Sequence, residues 1–261
     1  MLRDLASLPA VVLFPLFAVI GIGLTLLFDI VMRHFVAPET RERATSTASV
    51  TLQVTATIYA ILIAFVIVDA YGQIRDVQGE LSQKAAELSV VVANSRALPE
   101  PQGADIRKAA LAYARAVVND GLPRLEETGR PSRPSDEKLE ALFRQVQRAD
   151  AVTEGDRVAF QETITALDAV VRSRESLISS SGATIPNSLL GLLFVIGMTV
   201  MAVATMLDTR HRRSHLFILS SLALVIWLTL ALVVSMDYPF SGPVRVTDQP
   251  LREFIEFRAA R

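Results

Sequence analysis

Few side chains in this 261-residue chain could carry out chemistry, and most of those sit inside or beside apolar stretches. Asp29 lies near the end of the first apolar run, and Arg33 follows four residues later. A carboxylate at that depth in a bilayer is costly unless it is paired, and the i, i+4 spacing offers the pair. Two readings stay open: a local Asp29–Arg33 ion pair, or a charge on an ion's path. A second set shares one helical face, with Thr51, Thr55, Ile58, Leu62, Phe65 and Asp69 at alternating spacings of four and three. Polar ends around an apolar middle suit a wet conduit whose constriction gates by dewetting. The same row also suits plain helix–helix packing, with threonine hydroxyls bonded back to their own carbonyls. Asp237 closes the last apolar run ahead of Pro239, Phe240 and Gly242. It reads either as an interfacial charge ordering that turn or as a helix stop.

The residues that would make an enzyme are missing or badly set. The chain has no cysteine and three histidines, His34, His211 and His215, so neither thiol chemistry nor a metal site of several imidazoles is expected. His211 and His215 share a helical spacing, but Arg212 and Arg213 stand between them, and the group reads as a basic membrane anchor. The acid pairs Glu126-Glu127 and Asp136-Glu137 fall in or beside a loop and read as solvated. HExxH, GxSxG and glycine-rich phosphate loops do not occur. We therefore expect no catalytic residue, no metal, no cofactor and no enzymatic activity. A net charge of −1 carries no nucleic-acid footprint.

The elements that must position these residues are membrane helices. The chain is 51% hydrophobic, with mean hydropathy +0.39, which is too apolar for an ordinary soluble domain. Four apolar runs are each long enough to cross a bilayer core of ~30 Å. They fall at about 8–32, 50–71, 185–207 and 216–236. The first begins after Arg3 and lacks a cleavage-site pattern behind it, so it reads as a retained span. Gly21, Gly23, Gly191 and Gly197 offer close approach to neighbouring helices. Residues 33–49 read as a connection.

The stretch 72–184 is polar, and its apolar residues recur at helical spacing, so a small helical bundle continuous with the second span is expected there. Its helices are expected at 73–96, 105–125, 137–148 and 153–179, with a Pro/Ser loop from Thr128 to Asp136 and a capping box at Thr153 and Asp156. Residues 237–261 form the DYPFSG turn and a short tail with an amphipathic piece at 251–257. The expected fold class is all-α: four transmembrane helices with the bundle inserted between spans 2 and 3. The short links carry Arg33, Arg41, Arg43, Arg210, Arg212 and Arg213. The positive-inside rule then puts those links in the cytoplasm, and both termini and the bundle outside it, in a bacterial inner membrane.

Several short motifs in order resemble the bacterial bestrophin-like domain family. They are Ile58-Tyr59-Ala60-Ile61-Leu62 with Ala64-Phe65-Val66, Ala85-Ala86-Glu87-Leu88 ahead of Leu98-Pro99, Leu111 to Val118 ahead of Leu122-Pro123, and Met236-Asp237-Tyr238-Pro239-Phe240-Ser241-Gly242. The resemblance covers about 50–257 and departs at Asp69, where the family's second span stays apolar. It implies a remote relation to bestrophins, pentameric chloride-conducting channels whose second span lines the pore. That in turn implies a homo-oligomer in the lipid bilayer, a pentamer by analogy, built around the second span with the helical domain continuing the conduit; the residue reading above, and not the resemblance, offers Thr51, Thr55 and Asp69 as its polar lining. The permeant ion is not readable from these residues. Bestrophins keep the helical domain in the cytoplasm, against the charge rule applied above. The expected function is an oligomeric ion channel, and the alternative is a non-conducting membrane scaffold or sensor whose helical domain binds a partner.

Overall fold

A computed structural model describes residues 8–149, 153–180, 185–207, 211–237, 240 and 245–259. Pro239 and Gly242 of the expected turn, and Tyr238 beside them, lie outside the described residues. The described elements are α1 (Ala10–Phe35), α2 (Pro38–Asn94), α3 (Gln102–Ala116), α4 (Leu122–Thr128), α5 (Arg133–Gln147), α6 (Glu154–Ser179), α7 (Asn187–Thr205), α8 (Arg212–Met236) and α9 (Gln249–Ala259). A π-helical segment, Val117–Gly121, joins α3 to α4. There is no strand among the described residues. Among the described residues four helices, α1, α2, α7 and α8, are long and apolar enough to cross a membrane. The chain divides into two units: one holds the described residues through Gly72 with 185–237, and the other holds 73–180, Phe240 and 245–259.

The first unit is built on small residues at helix crossings. A Cβ at Gly21 of α1 would stand 2.0 Å from the Trp227 ring of α8, so glycine is what allows that contact. Trp227 also meets Phe17 of α1 and Phe194 of α7, with ring centroids 6.4 and 5.8 Å away. Gly197 of α7 faces Ile226 of α8 and Tyr59 of α2. Gly23 and Gly191, expected to serve the same purpose, have nothing within 4 Å of a built Cβ. The connection expected at 33–49 shrinks to Val36 and Ala37, because Pro38 opens α2 with Glu39 in its first turn. Arg41 and Ala48 in this early stretch are buried.

The second unit has its own core. Leu81, Leu88 and Val91 of α2 meet Ile106 and Tyr113 of α3, Leu142 of α5 and Leu167 and Val170 of α6. Leu251 and Phe254 of α9 join them, so the short amphipathic tail is a core helix. The helix expected at 105–125 is interrupted at Val117–Gly121, ahead of Pro123, whose nitrogen cannot donate to the preceding turn. The expected loop at Thr128–Asp136 is also shorter. Gly129 ends α4 at φ 64°, and α5 already begins at Arg133 with Pro134 in its first turn. The capping box forms as expected: Asp156 N donates to Thr153 Oγ1 at 3.1 Å, and Thr153 N donates to Asp156 Oδ2 at 2.9 Å.

Candidate functional site

Two features of the first unit bring chemistry-bearing residues together. One is the row on α2. Thr51, Ile58, Phe65 and Asp69 are exposed, and Thr55 and Leu62 are half-buried. The neighbouring row, one residue on and so about 100° round the helix, carries Tyr59, Ile63, Val66 and Ala70, all buried. The chain therefore packs one side of α2 and leaves Thr51, Ile58, Phe65 and Asp69 of the named row exposed. The apolar stretch of α2 is 17% buried within the chain, the same as that of α1, against 44% for α8. Thr55 Oγ1 donates to Thr51 O at 2.8 Å, and Thr57 Oγ1 donates to Gln53 O at 2.7 Å. The hydroxyl protons are thus used on the helix's own carbonyls, which leaves the hydroxyl oxygens outward as acceptors.

The other feature is a buried ionic knot. Asp29 is 1% exposed, and its carboxylate takes Arg33 Nε on Oδ2 at 2.8 Å. The local pair expected from the spacing is therefore present. The other oxygen, Oδ1, lies 3.0 Å from His215 Nε2 of α8, a contact across 186 residues of sequence. With Asp29 ionised, that nitrogen is the one carrying a proton. Arg41 of α2 brings Nη2 to 3.9 Å from the same oxygen and donates it to Thr205 O, at the end of α7, at 2.7 Å. One turn earlier on α1, buried Thr25 donates to Gly21 O. Residues from α1, α2 and α8 thus meet at one carboxylate, α7 joins through the Thr205 carbonyl on Arg41, and the cations around the carboxylate outnumber it.

His215 corrects the sequence reading. It does not sit in a basic membrane anchor; it is 2% exposed on Asp29. A signal was present, because His215 stands at helical spacing with Leu219, Ala223 and Ile226, the buried stripe of α8. Arg41, expected in the connection at 33–49, lies in α2 and is 4% exposed. Asp237, at the C-terminal cap of α8, is 1% exposed, and its Oδ1 accepts the Ile185 N–H at 2.8 Å. It therefore ties the end of α8 to the chain entering α7, and Phe240 of the turn is buried in the second unit's core. No group of three or more His, Asp or Glu residues spaced to hold a metal occurs among the described residues.

A family model described as the Bestrophin-like domain matches residues 19–251. No curated protein matches the chain, and no solved structure does.

Proposed function

The chain belongs to the bestrophin-like family, and from that premise we propose that it is an oligomeric ion channel in which α2 lines a central conduit. The family match supports a channel-like membrane protein. The observation that carries the finer reading is the uncovered row of α2, where Thr51, Thr55 and Asp69 flank Ile58, Leu62 and Phe65. Polar side chains exposed on a membrane helix, here Thr51 and Asp69, call for water or for another copy. A ring of such helices gives it both. The hydroxyl oxygens and Asp69 would meet the ion, and the apolar middle would gate by dewetting. In this reading the copies form a pentamer, as in bestrophins, and the knot at Asp29 holds the spans in register.

Purified protein in planar bilayers tests the proposal. Conductance is expected, with a reversal potential under a salt gradient that shifts on Asp69→Ala. A protein that forms no closed ring by native mass spectrometry and passes no current would overturn it. The chain is then a scaffold, a reading favoured by the threonine hydroxyls being bonded back to the helix. We further propose that the short links face the cytoplasm of a bacterial inner membrane. An introduced Ser46→Cys should then be labelled by an impermeant thiol reagent only in inverted vesicles, and labelling in intact spheroplasts would reverse the topology.

A further inference from the structure

The second unit holds a half-open cavity where α2, α3, α5 and α6 meet. Val117 and Gly121 of the π-helical segment line it, and breaks of this kind in a helix recur at functional sites. Lys84, on α2 beyond its apolar stretch, lines it too. Lys84 is 2% exposed and makes no hydrogen bond or ion pair with a described residue. Lysine is almost never buried so fully without a partner. The other two lysines of the chain, Lys108 and Lys138, are exposed.

Glu80 and Glu87 stand one turn before and after Lys84 on α2, and both attract its ammonium. Their hydrogen bonds run elsewhere, since Glu80 accepts from Ser176 of α6 and Glu87 from Ser173. Glu80 Oε2 is buried without a hydrogen-bond partner. Arg174 of α6, forked on Asp136, lines the cavity and repels the ammonium. Burial and that repulsion outweigh the two carboxylates and bring the Lys84 ammonium down to about 7. Near neutral pH a good part of Lys84 is therefore the free amine, which is a nucleophile. Tyr113 is 1% exposed on the same cavity, and its hydroxyl has no hydrogen-bond partner. Burial raises its ionisation above the ordinary tyrosine range, so it remains a donor.

These groups define the electrophile. It must be small and uncharged, because Val117, Leu122, Leu125 and Leu177 make much of the wall apolar. Its product on the amine should accept the Tyr113 proton and be negative, since the Arg174 charge that repels an ammonium attracts an anion. An imine or an amide carries no negative charge, and a carbamate does. We infer that Lys84 is a carbamylation site, whose amine takes up carbon dioxide reversibly as a carbamate held by Tyr113 and Arg174. The nitrogen lone pair attacks the carbon of carbon dioxide, a C–N bond forms, and one C=O electron pair moves onto oxygen. The surplus proton on nitrogen passes to Glu80, one turn away, whose Oε2 is free to take it. One carboxylate is neutralised as one carbamate appears, so the net charge of the site does not change. The modification ties α2 to α6 through Arg174 and does not depend on conduction through the α2 row.

The test uses the full chain in detergent near neutral pH, equilibrated with isotopically labelled bicarbonate and carbon dioxide. Triethyloxonium then traps any carbamate as its ethyl ester, and peptide mass spectrometry locates the label. A labelled adduct is expected on Lys84, saturating with carbon dioxide, and not on Lys108 or Lys138, whose amines stay protonated in water. Tyr113→Phe removes one hydrogen bond with little change of shape and should lower the affinity for carbon dioxide about tenfold. Should Tyr113→Phe fail to fold, the wild-type labelling decides by itself. No labelled adduct on Lys84, or equal labelling of all three lysines, would overturn the inference. So would an affinity that Tyr113→Phe leaves unchanged, because the carbamate would then not be held in this cavity.

Discussion

At the scale of the residue, the decisive group is Asp29. Its carboxylate is buried and receives Arg33 and His215 directly, with Arg41 close by. Removing one partner of such a cluster strands the others in a low-dielectric setting. Asp29→Ala is therefore expected to cost about 3–5 kcal/mol, read as a fall in the denaturation midpoint of the purified protein. His215→Ala should be strongly non-additive with it in a double-mutant cycle, and additive values would show that the 3.0 Å contact carries no coupling. The pair Asp29–Arg33 is legible in the sequence because both residues stand on one helix, four apart. His215 and Arg41 reach the same carboxylate from two other helices, and no local spacing brings them there.

At the scale of the element, the crossing of α1 and α8 depends on where a side chain is missing. Gly21 faces the Trp227 ring, and Gly23 faces open space. Gly21→Ala is expected to destabilise the protein by about 1–3 kcal/mol through overpacking, whereas Gly23→Ala should leave the thermal midpoint unchanged or slightly raised, since alanine favours a helix. Equal effects at the two positions would mean that the α1–α8 contact is not what Gly21 serves. Both glycines look alike in the sequence, because small residues mark a packing face without saying which turn meets a partner. The helices themselves were largely legible from periodicity, and their ends less so. α2 begins at Pro38, well before its apolar run, and the helix after Asp105 changes to a π-helical segment at Val117–Gly121. In both places turn and capping chemistry determined the boundary, and hydrophobic period did not.

At the scale of the whole molecule, the proposed ring brings the same row of α2 together from neighbouring copies. The chain has no cysteine, so a single introduced thiol reports on one position alone. Phe65→Cys, on the uncovered row, is expected to give a covalent dimer on mild oxidation in membranes. Ile63→Cys, buried by the chain's own packing, should stay monomeric. The reverse pattern would move the conduit, or the oligomer contact, to another face of α2. The family match supports the channel-like class for the whole chain, since it spans both units. In the reading proposed above, the row on α2 narrows that class to a conduit with polar ends and an apolar middle.

The amino-acid sequence by itself determined the class of molecule, the four apolar helices, the helical character of residues 73–180 and the pairing of Asp29 with Arg33. Each of these follows from interactions within a few residues: apolar length, helical period and i, i+4 reach. Tertiary structure alone decided that His215 is a buried partner rather than an anchor and that Gly21, not Gly23, is the point of contact. It also decided that Lys84 and Tyr113 line one cavity. These depend on which faces of distant helices meet. That choice is made by shape and by the cost of burying polar groups, neither of which has a period along the chain.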